Sequence, residues 1–89
     1  MYLKITKGRD NGITTENISQ CEAIEIREVS EGQPSKPVHF DGAAGLYLLI
    51  REDGTQFREI CIEKEAGLTV NVWLMNDNGK TIDHHSMRW

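Results

Sequence analysis

Long apolar runs are missing from this sequence. The 89 residues contain no stretch of about 18 apolar residues, so no segment predicts a transmembrane helix. The first ten residues, MYLKITKGRD, have no apolar core of the kind that a secretory signal peptide needs. These absences predict a cytoplasmic protein that does not associate with membranes.

Cysteine is scarce as well, since Cys21 and Cys61 are the only two. They could pair in principle, but two reduced thiols are the better interpretation when no export signal is present. Neither cysteine has the CxxC or Cys/His spacing of a zinc site. The prediction is a chain without a bound cofactor.

Aromatic residues make up only 7% of the chain, and they do not interleave with basic residues. A sheet that binds nucleic acid needs exposed aromatics flanked by Lys or Arg, and a chain of net charge −4 repels phosphates on average. The sequence therefore argues against nucleic acid as a partner. The alternative is a small nucleic-acid-binding β-barrel with a basic groove. Its lining would be Lys4, Lys7, Arg9 and Arg88.

Motifs of nucleophilic and phosphate chemistry are also absent. The sequence has no G-x-S-x-G, P-loop or dinucleotide-binding pattern. Cys61 lies among apolar neighbours, with nothing near it in sequence that would activate a thiol. We therefore predict that the protein has no catalytic activity.

Asp83-His84-His85 is the triplet whose side chains could most readily take part in catalysis or metal binding. Adjacent strand residues point to opposite faces, so His84 and His85 cannot readily bind one metal together. Asp83 and His85 share a face, and His39 with Asp41 repeats their spacing. Convergence of these two pairs would indicate a metal-dependent hydrolytic enzyme. Nothing in the sequence requires it, and we predict no metal site.

The chain is organised around the segment from Gly45 to Glu65, GLYLLIREDGTQFREICIEKE. Asp53-Gly54 between two β-like runs is a strong signal for a hairpin with a type I′ turn. The first arm, residues 46–50, is apolar at every position. An unbroken apolar run predicts a central strand that is covered on both faces.

A two-residue turn at Asp53-Gly54 fixes the predicted register of this hairpin. The predicted pairs are Ile50 with Phe57, Leu48 with Glu59 and Leu46 with Cys61. One face would then hold Leu46, Leu48, Ile50, Phe57 and Cys61, and the other Tyr47, Leu49, Ile60 and Ile62. The alternative is a one-residue bulge at Gly54, which would slide one arm and swap its faces.

Further segments carry β-formers in alternation. They are residues 2–6, 23–29, 68–75 and 80–89. A turn at Asn11-Gly12 would place Ile5 opposite Ile18, and the alternative is a short helix over residues 16–23. Residues 30–37 predict a loop, and residues 38–40 a short edge strand. Together these segments predict a single all-β domain over residues 1–89. We expect a small antiparallel sandwich or partly open barrel of six to seven short, mostly hairpin-connected strands.

The last hairpin, turning at Asn78-Gly79 in a second type I′ turn, carries the candidate binding face. Alternation puts Leu68, Val70, Val72 and Leu74 on one side. The side chains predicted for the other side are Trp73, Met75, Ile82 and His84. Exposed Trp and Met residues are typical of protein interfaces, although a second sheet or a loop could cover them instead. The resulting hypothesis is a non-catalytic protein-interaction module: a small inhibitor, an adaptor or a homo-oligomer.

Overall fold

The protein is built from strands only, as seen in a computed structural model that describes residues 1–10, 12–18, 20–32, 36–37, 40 and 42–89. The strands are β1 (Tyr2–Arg9), β2 (Gly12–Ile18), β3 (Ala23–Val29), β4 (Gly45–Asp53), β5 (Gln56–Glu63), β6 (Thr69–Met75) and β7 (Thr81–Arg88). Within the described residues no helix could cross a membrane. The predicted all-β class, with seven short strands, is confirmed.

The strands form two sheets in which every neighbouring pair is antiparallel. One sheet has the order β2-β1-β6-β7 and the other the order β3-β4-β5. The four-stranded sheet belongs to a compact unit made of Met1–Cys21 and Glu65–Trp89, and the three-stranded sheet to a second unit, Glu22–Lys64. The single domain over residues 1–89 stays a prediction.

Strand β4 is the centre of the three-stranded sheet, as its apolar run predicts. Leu46, Leu48 and Ile50 share one of its faces, and the exposed fraction of each is 0%. Tyr47 on the opposite face is also buried, and Leu49 is half-buried. Burial on both faces removes most of this strand's apolar surface from water, which is the largest favourable contribution that folding offers.

The predicted register of the β4–β5 hairpin is wrong by one residue. Leu46 pairs with Ile62 rather than Cys61, and Leu48 pairs with Ile60 rather than Glu59. The pairing shifts between Arg51 and Asp53, and Asp53 pairs with Gln56, so the turn residues are Gly54 and Thr55 instead of Asp53 and Gly54. The slide places both isoleucines beside the leucines on one face, and this burial outweighs the preference for a two-residue Asp-Gly turn.

The slide also moves two residues to the face opposite the one predicted. Phe57 and Cys61 do not lie beside Leu46 and Leu48, and both are exposed, Phe57 to 60%. The alternative of a one-residue bulge is therefore the correct one, although the irregularity lies one or two residues before Gly54.

A second apolar cluster lies on the Tyr47 face of β4. Val29, Phe40 and Tyr47 are buried together, and Leu49 packs against them. Phe40 ends the segment 38–40, for which we predicted an edge strand; residues 38 and 39 lie outside the described residues. The Tyr47 hydroxyl donates a hydrogen bond of 2.8 Å to Oε2 of Glu59. Burial, the hydrogen bond and the negative charge of Glu59 together raise the pKa of Tyr47 to about 12.

This raised pKa predicts a loss of stability at high pH. Tyr47 ionises at its ordinary pKa of 10.0 in the unfolded chain and near 12 in the folded protein. The contribution of Tyr47 to the free energy of unfolding is therefore complete below pH 10 and is lost as the pH rises towards 12. Urea melts across this pH range should show a smaller decline in the free energy of unfolding for Tyr47→Phe, because phenylalanine cannot ionise. Equal declines in both proteins would show that Tyr47 is not the group responsible.

In the four-stranded sheet, the β1–β2 hairpin pairs two residues away from the predicted register. Leu3 pairs with Ile18, and Ile5 pairs with Glu16. This register sets the buried Ile18 beside the buried Leu3. A shift of two residues leaves each side chain on its predicted face, since strand faces alternate with period two. The alternative helix over residues 16–23 is wrong, because β2 extends to Ile18 and β3 begins at Ala23.

The β6–β7 hairpin has the predicted register in its body. Val70 pairs with Met87, Val72 with His85 and Trp73 with His84, as predicted. The pair at the turn differs: Met75 lies opposite Thr81 rather than Ile82, because the register shifts by one residue after Leu74.

The connecting turn is not the predicted type I′ turn. That turn needs positive φ at both central residues. Among the described non-glycine residues only Gln20 has a positive φ. Instead, Gly79 has φ 79° and donates its amide to the Asn76 carbonyl at 3.0 Å. The Asn76 side chain accepts from the amides of Asn78 and Lys80, both at 3.0 Å. Asn76 therefore organises a longer loop around a glycine in the left-handed region.

Candidate functional site

One face of the four-stranded sheet carries the residues predicted to bind a protein, and we call it the Trp73 face. Its paired strand residues are Tyr2, Lys4, Thr6, Gly8, Ile13, Thr15, Asn17, Thr69, Asn71, Trp73, Met75, Thr81, His84, Ser86 and Arg88. Ile82, which was also predicted for this face, has no partner in the register, because the shift after Leu74 sets Thr81 opposite Met75. Val70 and Val72, on the opposite face of β6, are buried. Alternation along the strands thus produces the division between faces that the sequence predicted.

Trp73 stands at the centre of a row of three side chains across this face. Register places Lys4 on one side of it and His84 on the other. The His84 ring stacks on the indole at 4.9 Å between centroids and 3° between planes. The Lys4 ammonium lies 5.4 Å from the indole centroid, within the range of a cation–π contact. The Trp73 ring is therefore in contact with a neighbouring side chain from each adjoining strand.

The row is anchored by a hydrogen bond and bordered by apolar side chains. His84 Nε2 lies 3.0 Å from Oδ1 of Asn71, which fixes the imidazole beside the indole. Trp73 and Met75 are half-buried, while Ile82 is 55% exposed. The face thus has an aromatic centre held by neighbouring side chains, and the exposed Ile82 lies at the register shift of the adjoining strand β7.

The charge of the Trp73 face differs from that of the whole chain. The protein has 14 acidic and 10 basic residues. No Asp or Glu is present among the strand residues of this face, whereas Lys4 and Arg88 both lie on it. The face is therefore locally positive on an acidic protein, a distribution that favours a negatively charged partner.

A groove of about 300 Å³ opens at the end of the Trp73 face that is farther from Trp73. Its lining comprises Thr6, Gly8, Arg9, Asp10, Ile13, Gly67, Thr69, Asn71 and Arg88. Arg9 forms an ion pair with Glu65 at the rim. This groove was not predicted from the sequence. The signal available for it was the pair of glycines, Gly8 and Gly67, which leave space where other residues have side chains.

The basic groove that would favour nucleic acid is only partly assembled. Arg9 and Arg88 line the groove, and Lys4 lies farther along the same face. Lys7 pairs with Val70 and lies on the opposite face of the sheet. The four cations therefore do not form one continuous track for a phosphate backbone.

The four residues considered for a metal site are not seen together. His39 and Asp41 lie outside the described residues. Asp83 is exposed and accepts a hydrogen bond of 2.9 Å from the His84 amide. Within the described ranges no three His, Cys, Asp or Glu side chains are grouped so that they could hold a metal ion. Comparison of the chain with protein-family models, with curated proteins and with solved structures found no match.

Proposed function

We propose that this protein is a non-catalytic protein-binding module whose docking surface is the Trp73 face, and that its partner offers an acidic surface with apolar side chains. The observation that carries the proposal is the composition of that face. It combines exposed apolar side chains with positive charge and has no carboxylate on its strands.

The apolar part of the face supports a protein partner. Ile13 is 74% exposed and Ile82 is 55% exposed, and they lie on opposite edge strands with Trp73 between them. Contiguous apolar patches, rather than isolated apolar residues, mark interaction surfaces, and the half-buried neighbours Trp73 and Met75 supply the contiguous part of this face. Trp73 is held rigid by its stack, so its contact with a partner would cost little conformational entropy.

The charged part of the face favours a different protein over a second copy of this chain. Two copies meeting face to face would bring Lys4 and Arg88 of one copy near those of the other. Like charges at such an interface are unfavourable, whereas an acidic partner is steered towards the face and held there. Homo-oligomerisation through this face is therefore the less favoured form of the interaction.

The alternative of single-stranded nucleic acid is weakened by the Trp73 stack. Binding of this kind relies on bases stacking on open aromatic rings. His84 is already stacked on the Trp73 ring, and the Lys4 ammonium lies over it. A base would have to displace one of them, while a protein side chain can contact the outward edge of the ring.

Selection from a displayed library of random peptides tests this function. We expect enrichment of peptides that combine Asp or Glu with apolar residues, and loss of their binding when Ile82 or Trp73 is replaced by Ser. For Trp73→Ser the expected loss is about 2 kcal/mol or more, as for other aromatic interface anchors. Phe57→Ser is the matched control, because Phe57 is similarly exposed, at 60%, but lies in the three-stranded sheet.

Circular dichroism melts of each variant separate loss of binding from loss of folding. The proposal fails if the enriched peptides bind the Ile82→Ser and Trp73→Ser proteins as well as the wild type. Enrichment of basic peptides, or tighter binding of oligothymidylate than of any selected peptide, would also overturn it.

A further inference from the structure

We infer that the groove beside Gly8 is a subsite for a carboxylate side chain, Asp or Glu, of the partner protein, and that Arg88 is the residue that binds it. The inference rests on the proposed function, because it assigns chemistry to one end of the same face. It adds a specific contact and a spacing rule that the composition of the face alone does not provide.

The groove exists because Gly8 has no side chain. A Cβ atom at this position would lie 2.9 Å from Cγ1 of Ile13, closer than such atoms approach in proteins. Gly67 leaves a second open position in the lining. Ile13 therefore forms the apolar side of the groove, and the absence of a side chain at Gly8 leaves the space beside it.

The rest of the lining can donate hydrogen bonds to an oxygen anion. Thr6 and Thr69 carry hydroxyl groups, and Asn71 carries an amide. Each can donate to a carboxylate oxygen in a space of about 300 Å³, which is large enough for the end of an acidic side chain.

Of the two guanidinium groups at the groove, only Arg88 is available. Arg9 is already engaged by Glu65. The Arg88 side chain is exposed and forms no hydrogen bond or ion pair with the residues that the structure describes. Asp10, in the turn after β1, is the one carboxylate of the lining, and its negative charge is the one that the Arg88 guanidinium has to outweigh for an anion to bind. The fork of an arginine matches the two oxygens of a carboxylate, which makes Arg88 the recognition element.

The groove and Trp73 together set a spacing for the partner. Arg88 pairs with Thr69, and Trp73 lies four residues farther along β6. Four strand residues span roughly 13 Å. An extended partner segment that follows β6 would therefore carry its acidic residue about four positions from the apolar residue that meets Trp73 and Ile82.

The test uses two blocked synthetic peptides, one with Glu and Leu four positions apart and one with Gln in place of Glu. NMR titration of the whole protein measures the affinity of each. We expect the Glu peptide to bind at least fivefold tighter than the Gln peptide, with amide shifts at Gly8 and Thr69. Arg88→Gln should abolish this preference. Lys80→Gln removes the same charge at the far end of the hairpin and should keep it.

Gly8→Ala provides a second variant that retains Arg88. The φ angle of Gly8 is not positive, so alanine suits its backbone, but the added methyl group narrows the groove at Ile13. It should reduce the preference for Glu while Arg88 stays in place. Amide spectra of the unbound variants verify that each one folds.

The outcomes separate this inference from the proposed function. If both peptides bind equally and binding still depends on Trp73, the carboxylate subsite is wrong and the docking face stands. If neither peptide nor any selected peptide shows dependence on Trp73, both are wrong. A Glu preference that survives Arg88→Gln would assign the contact to another cation and overturn the inference.

Discussion

Replacing Leu48 with alanine is expected to lower the free energy of unfolding by about 2–5 kcal/mol, the usual cost of deleting a fully buried leucine side chain. Leu48 has no exposed surface and lies in the middle of the central strand β4. Its cross-strand neighbours on the same face are Ile26 and Ile60. Truncation would leave a cavity between two strands that cannot both move inwards, so relaxation would recover little of the loss.

Urea melts at one temperature measure this effect as a change in midpoint at constant slope. Phe57→Ala is the matched control, since it deletes a larger side chain from the same sheet at a position that is 60% exposed. It should cost less than about 1 kcal/mol. A loss below about 1 kcal/mol for Leu48→Ala would show that Leu48 does not belong to a two-sided central strand.

The central position of β4 could be predicted because it depends on composition alone. Five consecutive apolar residues need cover on both faces, whatever their partners are. The bounds of Ala23–Val29 also match the prediction, because apolar and polar residues alternate from Ile24 to Arg27 and the segment is followed by residues typical of a loop. Local pattern was therefore sufficient wherever it was strong and uninterrupted.

Register could be predicted where the predicted turn and the burial of apolar residues lead to the same pairing. They do so in the body of the β6–β7 hairpin, where the predicted pairs form although the turn itself is longer than predicted. In the β4–β5 hairpin they conflict: a two-residue Asp-Gly turn would put Glu59 opposite Leu48, whereas the slide by one residue puts Ile60 there. Burial of apolar surface outweighs turn preference in such a conflict.

Some features of the candidate site could likewise be predicted from the sequence, and others could not. The placement of Trp73 and Met75 opposite Val70 and Val72 follows from alternation and could be predicted. The stacking of His84 on Trp73 follows from register, which was also predicted. The groove could not be predicted, because Gly8 and Arg88 meet only through the sheet order β1-β6-β7, and nothing in the sequence fixes that order.

Replacing Gly45 with alanine is expected to lower the free energy of unfolding by about 4 kcal/mol or more, the largest effect of any glycine-to-alanine substitution in this protein. The added Cβ atom would overlap the carbonyl oxygen of Ile62, its partner strand's backbone. It would also lie 2.8 Å from Cζ of Phe40. Relief would require the start of β4 to move away from β5 and from the cluster of Phe40, Val29 and Tyr47.

Gly12→Ala separates this overlap from the backbone preference of glycine. Gly12 has φ 158°, almost the same as the φ of 156° at Gly45, but a Cβ atom at Gly12 would meet nothing within 4 Å. The backbone cost of placing alanine at this φ angle is therefore similar in both variants. Only Gly45→Ala also forces two strands apart. Urea melts should show a much greater loss of unfolding free energy for Gly45→Ala. Its far-ultraviolet circular dichroism spectrum should show a weaker β-sheet signal. If the two variants lost equal stability, the backbone angle would explain the whole effect, and the close approach of β4 and β5 at Gly45 would be wrong.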